Sequence, residues 1–313
     1  MTAHPFLLIV SRHYPPEISG GARRPFLIAS GLRSRGYRVA VASPNAPEGE
    51  PDWIRTPHPA AERGRAAASA GTDRSDPAWK TWARGMLRWP DNEIGWASHA
   101  VRAVIASGLR PDWVLTTSPP ESAHAAGERL KRALGALWLL EMRDSWIEEP
   151  LRPELLASGL RRRVEQGMAA RWLGAADARV AVSASLADEM RRLAPEARSE
   201  ISVIGHFADP PPAPVQFDGG GPHLLHAGSF SLSHGARKLA HLMAEFGPVH
   251  ARLPGARLHL AGRLTPLERA ELALSPLADA VVLHGEVPYA RARALQAGAD
   301  ALIVYQQGID ALP

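Results

Sequence analysis

PFLLIVSRHYPPEISGGARRPFLIASGLRSRGYRVAVAS, residues 5–43, decides the fold. Pro5 to Val10 is a continuous apolar run, short enough for a strand buried on both faces. Ser11 to Gly21 is crowded with breakers, among them Pro15, Pro16, Gly20 and Gly21. Ala22 to Arg35 sets Phe26, Leu27, Ala29 and Leu32 against basic residues on the other side, a helix stopped by Gly36. Arg38 to Ser43 is the next strand. Strand, loop, helix and strand in so short a span make one βαβ unit, which implies a parallel sheet.

The same alternation continues outward. Helices are expected over Ile94–Gly108, Glu121–Leu134, Pro153–Leu173 and Ala184–Leu193, with strands over Asp112–Thr117, Leu137–Glu141, Ala178–Val182 and Ile201–Ile204. Residues 44–78, rich in Pro, Ala, Gly and charge, read as a long surface insertion. The stretch 206–221 is dense in Pro and Gly and has the make-up of an interdomain linker. After it the rhythm restarts, with strands at His223–Ala227, Arg257–Ala261, Ala280–His284 and Ala301–Tyr305. Helices are expected between them over Arg237–Arg252, Pro266–Leu272 and Tyr289–Ala297. The expected domains are therefore residues 1–205 and 222–313, joined by that linker. All nine tryptophans lie at or before Trp172, so the halves are not a recent duplication.

Composition narrows the function. A chain of 313 residues with 45% apolar and 22% charged residues is globular and long enough for two cores. The absence of cysteine excludes disulfides, thiolate catalysis and Cys-ligated zinc. No apolar stretch is long enough to span a membrane, and the N-terminus reads as a strand and not a signal peptide, so the expected location is the cytoplasm. The net charge is +4, and all but three of the 36 basic residues are arginines, which suit phosphate and carboxylate ligands. An Arg-rich bias also arises from genome composition alone. No basic run interleaved with aromatics points to nucleic acid.

In an open parallel sheet, ligands bind beyond the carboxyl ends of the strands. Gly20 and Gly21 follow the first strand and open a helix, where backbone N–H groups and the helix dipole favour an anion such as a diphosphate. A turn without a ligand fits the fragment equally well. The spacing is not G-x-G-x-x-G, which disfavours a nicotinamide site.

Tyr14-Pro15-Pro16-Glu17-Ile18-Ser19-Gly20-Gly21-Ala22-Arg23-Arg24, followed by Gly36-Tyr37-Arg38-Val39, resembles the start of a family-4 glycosyltransferase. The resemblance continues in Trp89-Pro90-Asp91, Thr117-Ser118-Pro119-Pro120-Glu121-Ser122, Val182-Ser183-Ala184-Ser185 and Val203-Ile204-Gly205-His206-Phe207. Glu141-Met142-Arg143-Asp144-Ser145-Trp146 is similar to the strand end of a subgroup that makes bacterial surface polysaccharides and exopolysaccharides. Ala227-Gly228-Ser229, Leu258-His259-Leu260-Ala261-Gly262 and Val282-Leu283-His284-Gly285-Glu286-Val287 look like the second domain of that family.

The resemblance implies an α/β protein of GT-B architecture, two Rossmann-like domains facing across a cleft, with the second incomplete here. It implies retaining, metal-independent transfer from a nucleotide-diphospho-sugar co-substrate, without a further cofactor, to a polysaccharide or lipid-linked glycan. Gly20 and Gly21 would then give amides to the diphosphate, and Arg237 or Lys238, early in a helix, would neutralise the leaving phosphate. Gly228 and Gly262 would bind the nucleotide-sugar, Gly262 by allowing close approach of the nucleotide, and Glu286 and Val287 would border the nucleobase. The chain departs from the family in having Ser229 where many members have arginine, and in reaching Pro313 where an E-x7-E carboxylate pair is expected. A truncated, inactive homologue or acceptor-binding module is therefore one alternative, and a nucleotide-sugar epimerase of the same architecture is another.

Other residues carry two readings each. Arg143 and Asp144 orient the acceptor or stabilise charge, or else form a structural ion pair. His13 touches an acceptor hydroxyl or is merely solvated, and His124 is at least as well explained by core packing. His223 and His226 point to opposite faces of a strand, and no histidine cluster suggests a metal. Trp79, Trp82 and Trp89, with neighbouring basic residues, suit either contact with the inner face of the membrane or packing over the sheet. The run Arg161-Arg162-Arg163 is expected on a solvated helix face.

Overall fold

A computed structural model describes residues 4–17, 19–46, 52–57, 89–91, 93–148, 159–207, 210–232 and 237–304. The chain divides into two compact units, Met1–Phe207 and Ala208–Pro313.

The first unit is a seven-stranded, wholly parallel sheet in the order β3-β2-β1-β4-β5-β6-β7. Its strands are β1 Leu7–Val10, β2 Val39–Ser43, β3 Trp53–Arg55, β4 Trp113–Ser118, β5 Leu137–Met142, β6 Ala178–Ala181 and β7 Ile201–Val203. The helices are α1 Gly20–Arg33, α2 Ile94–Ala106, α3 Ser122–Leu134, α4 Gly159–Ala175 and α5 Ala184–Leu193. Alternation along β1 shows how the sheet is covered on both faces. Leu8 and Val10 pack with Trp96 and Leu130 from α2 and α3. Ile9 packs on the other side with Tyr14 and with Ala29 of α1. Helix and sheet meet closely at Gly127 of α3, where a Cβ would come within 2.3 Å of Trp138 Nε1.

The second unit is a four-stranded parallel sheet in the order β10-β9-β8-β11. Its strands are β8 His223–Ala227, β9 Arg257–Ala261, β10 Val281–Gly285 and β11 Ala301–Leu302, with helices α6 Leu239–Arg252, α7 Pro266–Ala273 and α8 Tyr289–Gly298. Each unit is thus a Rossmann-like α/β layer structure.

Several expectations shift. Helix α1 begins at Gly20, two residues before the expected Ala22, because Ser19 caps it: its Oγ accepts from Ala22 N–H at 3.2 Å. The glycines therefore form the helix's first turn and not the loop before it. The supposed insertion contributes β3, which pairs parallel with β2 at Val41↔Trp53; Ile54 is buried in the core cluster that contains Trp96. Residues 47–51 and 58–78 lie outside the described residues. Arg161 is not solvated. It is 4% exposed, and its Nε donates to the fully buried Glu165 at 2.7 Å, because a charged pair one helical turn apart can be buried together. Within the expected linker, Val215 and Phe217 pack on Leu225, Ala261 and Leu295 of the second unit. Gly298 permits this, since a Cβ there would stand 2.1 Å from the Val215 carbonyl oxygen.

Candidate functional site

In the first unit β1 and β4 are neighbours, but their connections lead to opposite sides of the sheet. The connections therefore part at the carboxyl ends of β1 and β4, which is where a crevice forms and ligands usually bind in such sheets. His13, Glu17 and α1 follow β1; Pro119, Pro120 and Glu121 follow β4; Arg143 and Asp144 follow β5. The structure brings the expected His13, Gly20, Gly21, Arg143 and Asp144 to one end of one sheet, together with Glu17 and Glu121.

Their roles are unequal. Arg143 is 7% exposed and gives its guanidinium to three backbone carbonyls: Nε to Ser118 at 2.9 Å, Nη1 to Gly21 at 2.8 Å and Nη2 to Pro119 at 2.9 Å. It pins the first turn of α1 to the loop after β4, in place of the ion pair with Asp144 expected as the structural reading. Burial lowers its pKa, against the raising charges of Glu141 and Asp144. Asp144 is exposed at the same end. His13 is one-third exposed and shares a 2.7 Å hydrogen bond between Nδ1 and Glu17 Oε1. Burial raises the Glu17 pKa, but hydrogen bonds from Ser19 and His13 outweigh it and the net shift is downward.

Beneath the crevice lies a buried network of residues from four of the quoted motifs, none of which was expected to carry a role at the site. Arg24 of α1 donates from Nε to Glu141 at 2.9 Å, from Nη1 to the Gly205 carbonyl at 2.7 Å and from Nη2 to the Ile204 carbonyl at 2.8 Å. Thr117 Oγ1 donates to the second Glu141 oxygen at 2.7 Å. A glutamate ending an apolar strand was the available sequence signal, since carboxylates are buried only when paired.

Glu121 is a second omission. Its pKa is pushed up to about 8, first by burial and next by the charge of Asp91, with Asp144 and Glu165 adding to it. The Asp91 carboxylate accepts from the backbone N–H groups of Ser122 and Glu93, each at 2.7 Å. Glu121 is thus a carboxylic acid that keeps its proton near neutral pH at a strand's carboxyl end, the state needed to donate to a substrate oxygen. His124 is 2% exposed and its Nδ1 pairs with Thr116 Oγ1 at 2.9 Å. Burial and then the charge of Arg143 lower its pKa to about 3, so it is a neutral core residue.

In the second unit, β8, β9 and β10 all end in glycines with positive φ: Gly228 at 155°, Gly262 at 155° and Gly285 at 67°. The backbones close on one another, Gly228 N–H donating to Ala261 and Gly262 N–H to Gly285, both at 2.8 Å. A Cβ on Gly262 would lie 2.1 Å from the Gly228 carbonyl oxygen. The result is a side-chain-free shelf where backbone can meet a ligand closely. Beside it is a cavity of about 290 Å³ lined by Gly262, Leu264, Arg269, Leu283, His284 and Gly285. Glu286 and Val287 follow directly. Glu286 is exposed and lies 3.5 Å from Arg263 Nε, and Val287 packs toward Leu295.

Arg237 and Lys238 precede α6 instead of lying in it, because Lys238 has extended dihedrals, φ −117° and ψ 134°. Lys238 is its N-cap, and its side chain makes no capping bond because an ammonium group has no acceptor. The helix therefore presents first-turn N–H groups beside two cationic residues.

Among the described residues no group of three or more His, Asp or Glu side chains is arranged to hold a metal ion. No described helix is long and apolar enough to cross a membrane. Trp79 and Trp82 lie outside the described residues. Trp89 is partly buried, with the Arg161 guanidinium 5.9 Å from its ring centre.

Comparison with known proteins adds an independent line. A sequence search of curated proteins finds no match. Starch synthase IV from Arabidopsis thaliana, solved with ADP and acarbose, has a similar structure with a TM-score of 0.61 at 12% identity, over 96% of this chain and 78% of that one. Sucrose-phosphate synthase from Thermosynechococcus elongatus gives 0.60 at 15% identity, over 96% and 75%. Anabaena HepE, solved with UDP and glucose, gives 0.51 at 13%, over 96% and 73%. At such identities the likeness is one of fold. The family model described as "Glycosyl transferase 4-like domain" matches residues 19–205, more than half the chain, a stretch that holds α1 and the loops after β4 and β5 but begins after β1. The chain belongs to the glycosyl transferase 4-like family.

Proposed function

We propose that the protein transfers a sugar from a nucleotide-diphospho-sugar to a hydroxyl of a polysaccharide or lipid-linked glycan, with retention and without a metal. The observation that carries this reading is the shelf of Gly228, Gly262 and Gly285 with its adjoining cavity. A nucleotide needs such close backbone approach beside a pocket of its own size. Neighbours of the same fold solved with UDP and glucose and with ADP and acarbose support the ligand class.

In this reading the second unit takes the donor. The N-terminal end of α6, with Arg237 and Lys238, stabilises the charge that develops on the departing diphosphate. The crevice of the first unit takes the acceptor. Gly20 and Gly21 offer first-turn amides to the diphosphate, and a Cβ on Gly20 would meet nothing within 4 Å, so room exists there. Glu121 and Asp144 hold acceptor hydroxyls, while Arg143 acts indirectly by fixing the loop that carries Glu121.

The test is calorimetric titration with UDP, GDP and ADP, followed by incubation of the matching nucleotide-sugar with glycan acceptors and NMR assignment of the product anomer. Binding of one nucleoside diphosphate and a product of retained configuration are expected. Failure of all three to bind at millimolar concentration refutes the reading. Conversion of the donor sugar to its epimer without an acceptor assigns the site to epimerisation instead.

A further inference from the structure

Three histidines on neighbouring strands form a hydrogen-bonded ladder in the second unit. His223 Nδ1 lies 3.0 Å from His259 Nε2, and His259 Nδ1 lies 3.0 Å from His284 Nε2. The ring of Phe217 covers the ladder, its centre 5.0, 4.1 and 6.3 Å from those of His223, His259 and His284. His284 lines the cavity beside the glycine shelf. His223 lines a different cavity of about 450 Å³, with Asp300 and Gly219 to Gly221 on its wall. The ladder thus runs between two cavities.

Hydrogen-bond valence restricts its states. A neutral imidazole has one N–H and one bare nitrogen. Two N···N bonds through three neutral rings allow only two arrangements, all three protonated on Nδ1 or all three on Nε2. In the first His284 offers an N–H outward and His223 a bare nitrogen; the second reverses both ends. One added proton, on whichever ring it sits, turns both outward nitrogens into donors. A second added proton must break a bond, because it leaves N–H facing N–H.

We propose that His223, His259 and His284 act as a single proton-binding unit, and that an anionic ligand in the cavity at His284 draws one proton onto the ladder. The proposal rests on the functional reading only for the ligand's identity, a nucleoside diphosphate. An anionic oxygen near His284 favours the doubly donating, cationic state. Without ligand the central ring is neutral at pH 7: burial, then the charges of His284, His223 and Arg257, lowers His259 to about 4. Burial, then Arg291, lowers His284 as well. Arg257 and Arg291 oppose the added proton. Asp300, whose carboxylate accepts from His223 backbone N–H at 2.8 Å, favours it from the opposite end.

The test is long-range proton–nitrogen NMR of the histidine rings in the full chain, from pH 7.5 down to 4.5. In the wild type the three rings share one tautomer near neutrality and together take up a single proton before the ladder breaks. Mixed tautomers, or independent uptake by each ring, overturn the unit. UDP, GDP or ADP, whichever binds, raises the ladder's proton affinity about threefold or more, a rise of about half a pH unit. His284→Ala, at a partly exposed position, abolishes that rise while His223 and His259 still titrate together. Binding with no rise in the wild type overturns the coupling. If no nucleotide binds, the functional reading fails and the coupling with it, while the shared tautomer still decides the ladder.

Discussion

Replacing Arg24 by Met tests whether the buried network beneath the crevice holds the first unit together. Glu141 is 2% exposed, and its charge is compensated directly by Arg24 and one hydrogen bond from Thr117, and more weakly by the Arg143 guanidinium. Removing one partner of a buried ion pair costs about 3–5 kcal/mol, because the other charge is left uncompensated. The two carbonyls that also lose a donor belong to the exposed residues Ile204 and Gly205 and turn to water, so they add little. The pair therefore dominates the loss. All nine tryptophans lie at or before Trp172, so their fluorescence during urea unfolding reports the first unit alone. With a urea slope of about 2 kcal/mol/M, a loss of about 3 kcal/mol lowers the midpoint by about 1.5 M. The double variant R24M/E141Q removes the stranded charge and should recover most of the loss. The exposed pair Arg191–Asp188 is the control, with R191A costing less than about 1 kcal/mol. A cost below about 1 kcal/mol for R24M, or no recovery in the double variant, refutes the reasoning.

Three further outcomes follow from the same structure. Gly127→Ala puts a Cβ 2.3 Å from Trp138 Nε1 and 2.7 Å from Thr116 Cγ2, and should cost about 1–3 kcal/mol in the tryptophan-reported transition; an unchanged midpoint would show that α3 can shift freely. Gly262→Ala, 2.1 Å from the Gly228 carbonyl, should abolish nucleotide binding in calorimetry yet leave that transition in place; retained affinity would remove the shelf from the donor site. Glu121 keeps its proton up to about 8 in the folded chain, against 4.5 for an ordinary glutamate, so the folded state binds more protons and stability falls as pH rises through that window. Glu121→Gln should flatten the decline and exceed the wild type in urea midpoint at pH 8; parallel pH profiles would contradict the shift.

The order of strands and helices was legible because the signals are local. An apolar run such as Leu7 to Val10, a breaker-rich loop and an amphipathic helix are each written in consecutive residues. β3 was missed because three residues inside a polar stretch carry too little periodicity, and only pairing with β2 makes them a strand. Arg161 was misplaced for a related reason: a guanidinium reads as solvated until Glu165 and the Pro90 carbonyl are seen around it.

The sequence by itself determined two parallel α/β units, the strand-end loops and their glycines, and the family resemblance that residues 19–205 substantiate. Tertiary structure decided what the charged residues do. Arg143 became a clamp on carbonyls, Arg24 and Glu141 a buried pair, Glu121 a protonated acid, and three histidines 36 and 25 residues apart a single ladder. The physical reason is range: propensity and hydrophobic period act between near neighbours, whereas desolvation, charge and hydrogen-bond valence depend on which distant groups the sheet brings together.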